Sequence, residues 1–162
     1  MDYLIRVANI NDLDSIAKLW EKLSIDQMSK DPYYKGDLVF SGGYSQFKQA
    51  LNSDNCCIFV AEVNNIVIGF IEVWLYQKDF YFFIDDYAYI LHFFIDPDAR
   101  RSENILSIIY NLFEAALNWA IEKGSRYIIA DAFAHNIRIM KLLERVGFES
   151  YRIRYVKELS SK

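Results

Sequence analysis

Apolar residues recur along the chain with two different periods, and the switches between them mark the elements. Tyr3 to Val7 reads as a first strand. Ile16, Leu19, Trp20 and Leu23 fall at i, i+3, i+4 and i+7, a helical stripe, with Asp12 ahead of it as the expected N-cap. Residues 24 to 43 hold Pro32, Gly36, Gly42 and Gly43 and read as a loop or broken helix; Tyr44 to Leu51 reads as a short helix. Cys57 to Val63 and Ile66 to Tyr76 are apolar and β-branched, joined by Asn64-Asn65, which tolerate the positive φ of a tight hairpin turn. A second hairpin through Gln77 to Phe83 leads into Tyr87 to Ile95, which Pro97 ends.

The period then lengthens. Asn104 to Lys123 carries Ile105, Ile108, Ile109, Leu112, Phe113, Ala116, Trp119 and Ala120 on one face, and Gly124 suits the C′ stop. Tyr127 to Ala132 is a strand, Asn136 to Val146 a helix closed by Gly147, and Tyr151 to Lys157 a last strand alternating Tyr151, Ile153 and Tyr155 against Arg152 and Arg154. This order predicts a mixed α/β (α+β) fold, with a mostly antiparallel central sheet of six or seven strands and about four helices on both faces. With 162 residues and neither repeats nor linkers, it reads as one domain over 1–162.

Composition narrows the function classes. Apolar residues make up 53% and charged residues 25%, enough for a full core in a soluble protein. A net charge of −4 argues against a nucleic-acid partner, which usually meets a basic face. No stretch approaches a membrane span, and Met1 to Arg6 does not read as a signal peptide. Cys56 and Cys57 are adjacent and read as reduced residues of a cytoplasmic protein, with no metal expected.

Three strings, in this order and spacing, carry a family resemblance over nearly the whole chain. They are Ile66-Val67-Ile68-Gly69-Phe70-Ile71, then Ile90 to Arg100 with Asp96-Pro97, and finally Ala132 to Asn136 followed by Leu142 to Glu149 with Gly147-Phe148. Together they resemble the GNAT superfamily of acetyl-CoA-dependent N-acetyltransferases. The resemblance implies a bulged fourth strand splayed from the fifth, with the pantetheine arm in the split against the backbone of Phe93, Phe94 and Ile95. An amide there, assigned to Phe94, would stabilise the oxyanion formed on the acetyl group. It further implies a pyrophosphate loop, [QR]-x-x-G-x-[GA], on Arg100, Arg101, Ser102, Glu103, Asn104 and Ile105. Such a loop works through the free N–H groups and positive dipole end of a helix N-terminus.

This loop departs from the pattern. Glu103 and Ile105 stand at the two small-residue positions, no glycine occurs from Phe70 to Lys123, and the helix-side register is about four residues longer than the family's, near one extra turn. A carboxylate 4 Å from a diphosphate charge costs about 1 kcal/mol in water and about 4 kcal/mol at intermediate screening. Arg100 and Arg101 offset this, and Glu103 also suits the positive helix end on structural grounds alone.

Transfer to an amine requires loss of a proton, and a carboxylate, often through water, can take it. Glu72, on a face with Phe70 and Trp74, is the leading base; Asp86 and its neighbour Asp85, just ahead of the fourth strand, and His92 follow. Tyr89 stands where some relatives place a base. Leu143 falls where the family often has a tyrosine that protonates the thiolate, leaving Tyr110 or water for that step. Asn136 matches a cofactor contact and is also a good N-cap. Tyr33, Tyr34, Tyr44, Phe80, Tyr81, Phe82 and Phe83 would border the acceptor, or form a homodimer surface. The expected activity is direct acetyl transfer from acetyl-CoA to a primary amine, on a small molecule or a peptide. The alternatives are a GNAT-fold binding or regulatory module without catalysis, and a general α/β interaction domain.

Overall fold

The computed structural model describes residues 2–35, 43–81 and 86–159. The chain divides into two compact units, Met1–Asp131 and Ala132–Lys162.

The first unit holds a five-stranded sheet in the order β1 (Tyr3–Val7), β2 (Cys56–Val63), β3 (Ile66–Gln77), β4 (Tyr87–Ile95), β5 (Tyr127–Ala130). The first four strands pair antiparallel, and β5 joins β4 parallel after a helical crossover. The β2–β3 turn places Asn64 and Asn65 at φ 51° and 62°, the left-handed pair that a tight hairpin demands.

Helix α1 (Leu13–Lys30) and helix α2 (Gly43–Leu51) cover one face of the sheet. Leu13, Ile16, Leu19, Trp20, Phe47 and Ala50 meet Cys56, Ile58, Val60, Phe70 and Phe94 there. Helix α3 (Ile105–Glu122) covers the other face, where the ring of Phe113 lies 4.9 Å from that of Phe93. Its end is a full Schellman turn: Gly124, at φ 84°, donates to Ile121 O at 2.9 Å and Ser125 donates to Ala120 O at 2.9 Å.

Three expectations are corrected. Helix α1 runs a further two turns, to Lys30, because buried Ser24 and Gln27 continue its inner stripe with polar side chains that hide the period. Asp12 precedes α1 but makes no side-chain cap bond; Asn9 caps a 3₁₀ turn over Ile10–Asp12, and the Asp12 carboxylate is taken by the Asn9 amide at 2.8 Å and by Arg6. Among the described residues the sheet has five strands, not six or seven.

Among its described residues the second unit contains one helix, α4 (Ile137–Arg145), with Asn136 accepting from Ile139 N as its N-cap. Residues 148–159, including the expected last strand, carry no regular secondary structure, and 151–159 are exposed. Alternation alone does not make a strand, since each ladder bond needs a neighbour. Among the described residues no helix is long and apolar enough to cross a membrane.

Candidate active site

The site grows from the place where β4 leaves β5. Their pairing runs from Tyr87↔Tyr127 to Ile90↔Ala130 and stops, while β4 continues to Ile95. At the same point the register with β3 slips: Val73 faces Ile90 and Glu72 faces His92, so Leu91 is the extra residue of a bulge. Tyr89 Oη donates to Asp131 Oδ2 at 2.8 Å, a bond just past the last residue of β5.

Beyond the bulge, the directions of the backbone groups follow from one hydrogen bond. Asp96 N donates to Ile68 O at 2.8 Å, so Asp96 turns its polar groups toward β3. In an antiparallel ladder this alternates, so Phe94 also spends its N–H and C=O on β3, against Phe70. Phe93 and Ile95 then direct theirs to the side β5 has vacated. The Ile95 carbonyl is taken there by Arg100 Nε at 3.0 Å. The Phe93 N–H and C=O and the Ile95 N–H therefore line the open edge. The amide expected from Phe94 faces the other way, and its side chain is buried in the core.

The segment after β4 is built around Asp96. Its Oδ1 accepts from Asp98 N at 3.1 Å and caps a 3₁₀ turn over Pro97–Arg101. Its Oδ2 meets Lys22 Nζ of α1 at 2.6 Å. Burial opposes ionisation of Asp96, but the Lys22 bond, the Asp98 amide and Arg100 outweigh it and hold the carboxyl below its ordinary range. The Arg100 guanidinium lies 5.3 Å from the centroid of the Phe94 ring. Ser102 is extended and Asn104 precedes α3 without a side-chain cap bond. The amides of Leu106 and Ser107 belong to the first turn, where a helix offers no acceptor of its own. Arg101 and Glu103 are exposed, Ile105 is half-buried, and among the described residues neither Arg100 nor Arg101 is ion-paired. A negatively charged group at this helix end would thus meet two cations, one carboxylate and a positive dipole end.

On the α1/α2 face, Glu72 is fully buried and both its oxygens are engaged: Trp74 Nε1 donates to Oε1 at 2.7 Å and His92 Nδ1 meets Oε2 at 2.6 Å. The His92 ring sits 6.4 Å from Trp20 and 5.8 Å from Phe47 and keeps 18% of its side chain exposed. Trp20 Nε1 is buried with no hydrogen-bond partner among the described residues.

Asp86 is not part of this cluster. It pairs with Lys78 at 3.2 Å at the start of β4, roughly 20 Å along an extended strand from His92. Asp85, Phe82 and Phe83 lie outside the described residues. Phe80 and Tyr81 are almost fully exposed, while the Tyr34 hydroxyl lies 3.2 Å from Ser24 Oγ. Asn136 and Leu143 belong to the second unit. The Glu72–His92 contact escaped the sequence reading, because it depends on the β3–β4 register and a bulge that no residue pattern announces.

Comparison with known proteins bears on the family and the fold. Residues 20–148 match the model of the Acetyltransferase (GNAT) family. No curated protein sequence matches the chain. Among solved structures it is similar to AAC(6')-Iy in complex with the bisubstrate analogue CoA-S-monomethyl-acetylneamine, with a TM-score of 0.72 at 20% identity, covering 99% of this chain and 100% of that one. It is similar to the aminoglycoside 6'-N-acetyltransferase AAC(6')-IG from Acinetobacter haemolyticus, with a TM-score of 0.70 at 15% identity, covering 98% and 99%. A transcriptional regulator from Bacillus halodurans gives 0.73 at 19% identity, covering 98% and 100%. At such identities these likenesses speak to the fold, and the family match speaks to descent. The chain belongs to the acetyltransferase (GNAT) family.

Proposed function

We propose that this protein is an acetyl-CoA-dependent N-acetyltransferase that moves the acetyl group directly to a primary amine. The observation that carries the reading is the open edge of β4 beside the N-terminus of α3. It offers the Phe93 and Ile95 backbone groups to the amides of a pantetheine arm, and Arg100, Arg101 and the first-turn amides to a diphosphate. The family match crosses from the first compact unit into the second, which supports one working domain over 1–162.

In this reading the Phe93 amide donates to the acetyl carbonyl oxygen and stabilises the negative charge that develops as the amine attacks. The C–S bond then breaks, CoA leaves as the thiol, and the amine has lost its proton. The hydrogen-bonded Glu72–His92 pair lies near this edge, and through it that proton can be managed. Asp86 is too far along β4 to share it.

Two similar solved structures are named aminoglycoside N-acetyltransferases, which supports a small polyamine-like acceptor here. The net charge of −4 suits a cationic substrate in the same sense. Glu103 and Ile105 at the small positions of the loop, and Leu143 at the thiol-protonating position, favour a second reading, a binding module without turnover. The deciding assay is release of free thiol from acetyl-CoA in the presence of neamine, spermidine or a peptide with a free N-terminus. Amine-dependent release supports the transferase. Binding of acetyl-CoA without release from any of the three supports the binding module.

A further inference from the structure

Glu72 cannot accept a substrate proton where it stands. It has no exposed surface, and each carboxylate oxygen already holds a hydrogen bond, one from the Trp74 indole and one shared with His92. Releasing either bond would leave a buried polar group unpaired, which is unfavourable. The carboxylate has a different use. The 2.6 Å contact suits an acceptor-only carboxylate taking a hydrogen bond from Nδ1–H, a tautomer that would leave the lone pair on Nε2.

His92 is also the member of the pair that reaches solvent. It follows the Leu91 bulge and immediately precedes Phe93, whose amide lines the open edge. Consecutive Cα atoms are about 3.8 Å apart, so the imidazole starts within one residue of the proposed oxyanion donor. The rings of Trp20 and Phe47 flank it and restrict its swing.

Resting on the transferase reading above, we propose that His92 Nε2 is the general base of the reaction and that Glu72 is its positioning residue. His92 takes one proton from the substrate ammonium, and the neutral amine attacks the acetyl carbon. The second nitrogen-bound proton leaves with the thiolate as the C–S bond breaks, giving amide and CoA thiol. The imidazolium returns its proton to solvent. No redox partner or metal is needed, and the net release is one proton per turnover.

The assignment separates the two residues kinetically. With wild-type protein, acetyl-CoA and the amine that gives turnover, H92Q is expected to lower kcat by 100-fold or more while KM for acetyl-CoA stays within about twofold. E72Q is expected to lower kcat by 10- to 100-fold, and the E72Q/H92Q double variant to be no slower than H92Q, because Glu72 acts only through the imidazole. Imidazole in solution should restore part of the rate of H92A and none to E72Q. Nitrogen NMR of the labelled wild-type protein reads the same geometry without an acceptor, and the neutral ring should carry its proton on Nδ1. An Nε2–H tautomer, an H92Q enzyme at full rate, or multiplicative losses in the double variant would each overturn the assignment while leaving the transferase reading intact. Wild-type protein that binds no acetyl-CoA overturns both.

Discussion

Gly69 and Ile95 face each other across β3 and β4 with no room for a side chain between them. A Cβ on Gly69 would stand 2.3 Å from Ile95 Cδ1 and 2.8 Å from the Phe94 carbonyl oxygen. The missing methyl lets β3 press against the part of β4 that carries the open edge. Gly69→Ala is therefore expected to destabilise the fold by about 1–3 kcal/mol, the usual range for overpacking. It should also weaken acetyl-CoA binding beyond what the stability loss explains, since Ile95 must shift. Chemical denaturation and calorimetry on the same variant measure the two effects, and an unperturbed variant would contradict the close approach.

The charges at the start of α3 should act in opposite directions. Arg101 is exposed and without an ion pair among the described residues, so Arg101→Ala should weaken acetyl-CoA binding about 5- to 10-fold at unchanged thermal stability. Glu103→Gln should tighten binding by about fivefold, corresponding to about 1 kcal/mol of relieved repulsion. Both differences should shrink in high salt. Equal affinities for all three proteins would place the diphosphate elsewhere.

Acid should loosen the corner between β1 and α1. Arg6 donates to Asp12 at 2.7 and 2.8 Å and to Glu62 at 2.6 and 2.9 Å. The hydrogen bonds from Arg6 hold the Asp12 carboxyl below its ordinary range, with the Asn9 amide adding to them against burial. A depressed folded-state pKa gives stability that is present above the unfolded value of 3.8 and is lost as pH falls through the folded value. Wild-type stability should therefore drop below about pH 4, whereas Asp12→Ala, already weaker by about 2–3 kcal/mol, should show a shallower acid slope. Urea titrations between neutral and acid pH decide this.

Alkali should act through the cysteines. Cys56 and Cys57 are buried at the start of β2, and burial pushes the Cys57 thiol up from 9.0 to about 11 and the Cys56 thiol higher still. A raised folded-state pKa gives stability that is complete below the unfolded value and falls as pH rises through the folded one. The protein should thus lose stability between about pH 9 and 11. Neither thiol should react with iodoacetamide in the native state near neutral pH. Rapid labelling there would show that this strand end opens.

Much of the fold was legible because local physics and packing agreed. Asn64-Asn65 can hardly serve anything but a tight turn, the long α3 stripe has one apolar face, and Gly124 sits where a left-handed residue ends a helix. The polar stripe of α1 hid its last two turns, and the alternation at Tyr151 to Lys157 has no ladder to join. The candidate site was legible only in part. Arg100 and the Phe93–Ile95 segment could be named from their motif, but the direction of each amide depends on one register. The pairing of Glu72 with His92 depends on a bulge at Leu91, which is a property of the sheet and not of any string of residues.

The central claim is that the open edge of β4 and the N-terminus of α3 still hold acetyl-CoA despite Glu103 and Ile105. Isothermal titration calorimetry of the purified protein with acetyl-CoA, and separately with CoA, tests it most directly. The account predicts one site of micromolar affinity for each ligand, about −8 kcal/mol. No heat of binding at millimolar ligand would contradict it, and would leave a protein that kept the fold and lost the ligand the fold was shaped around.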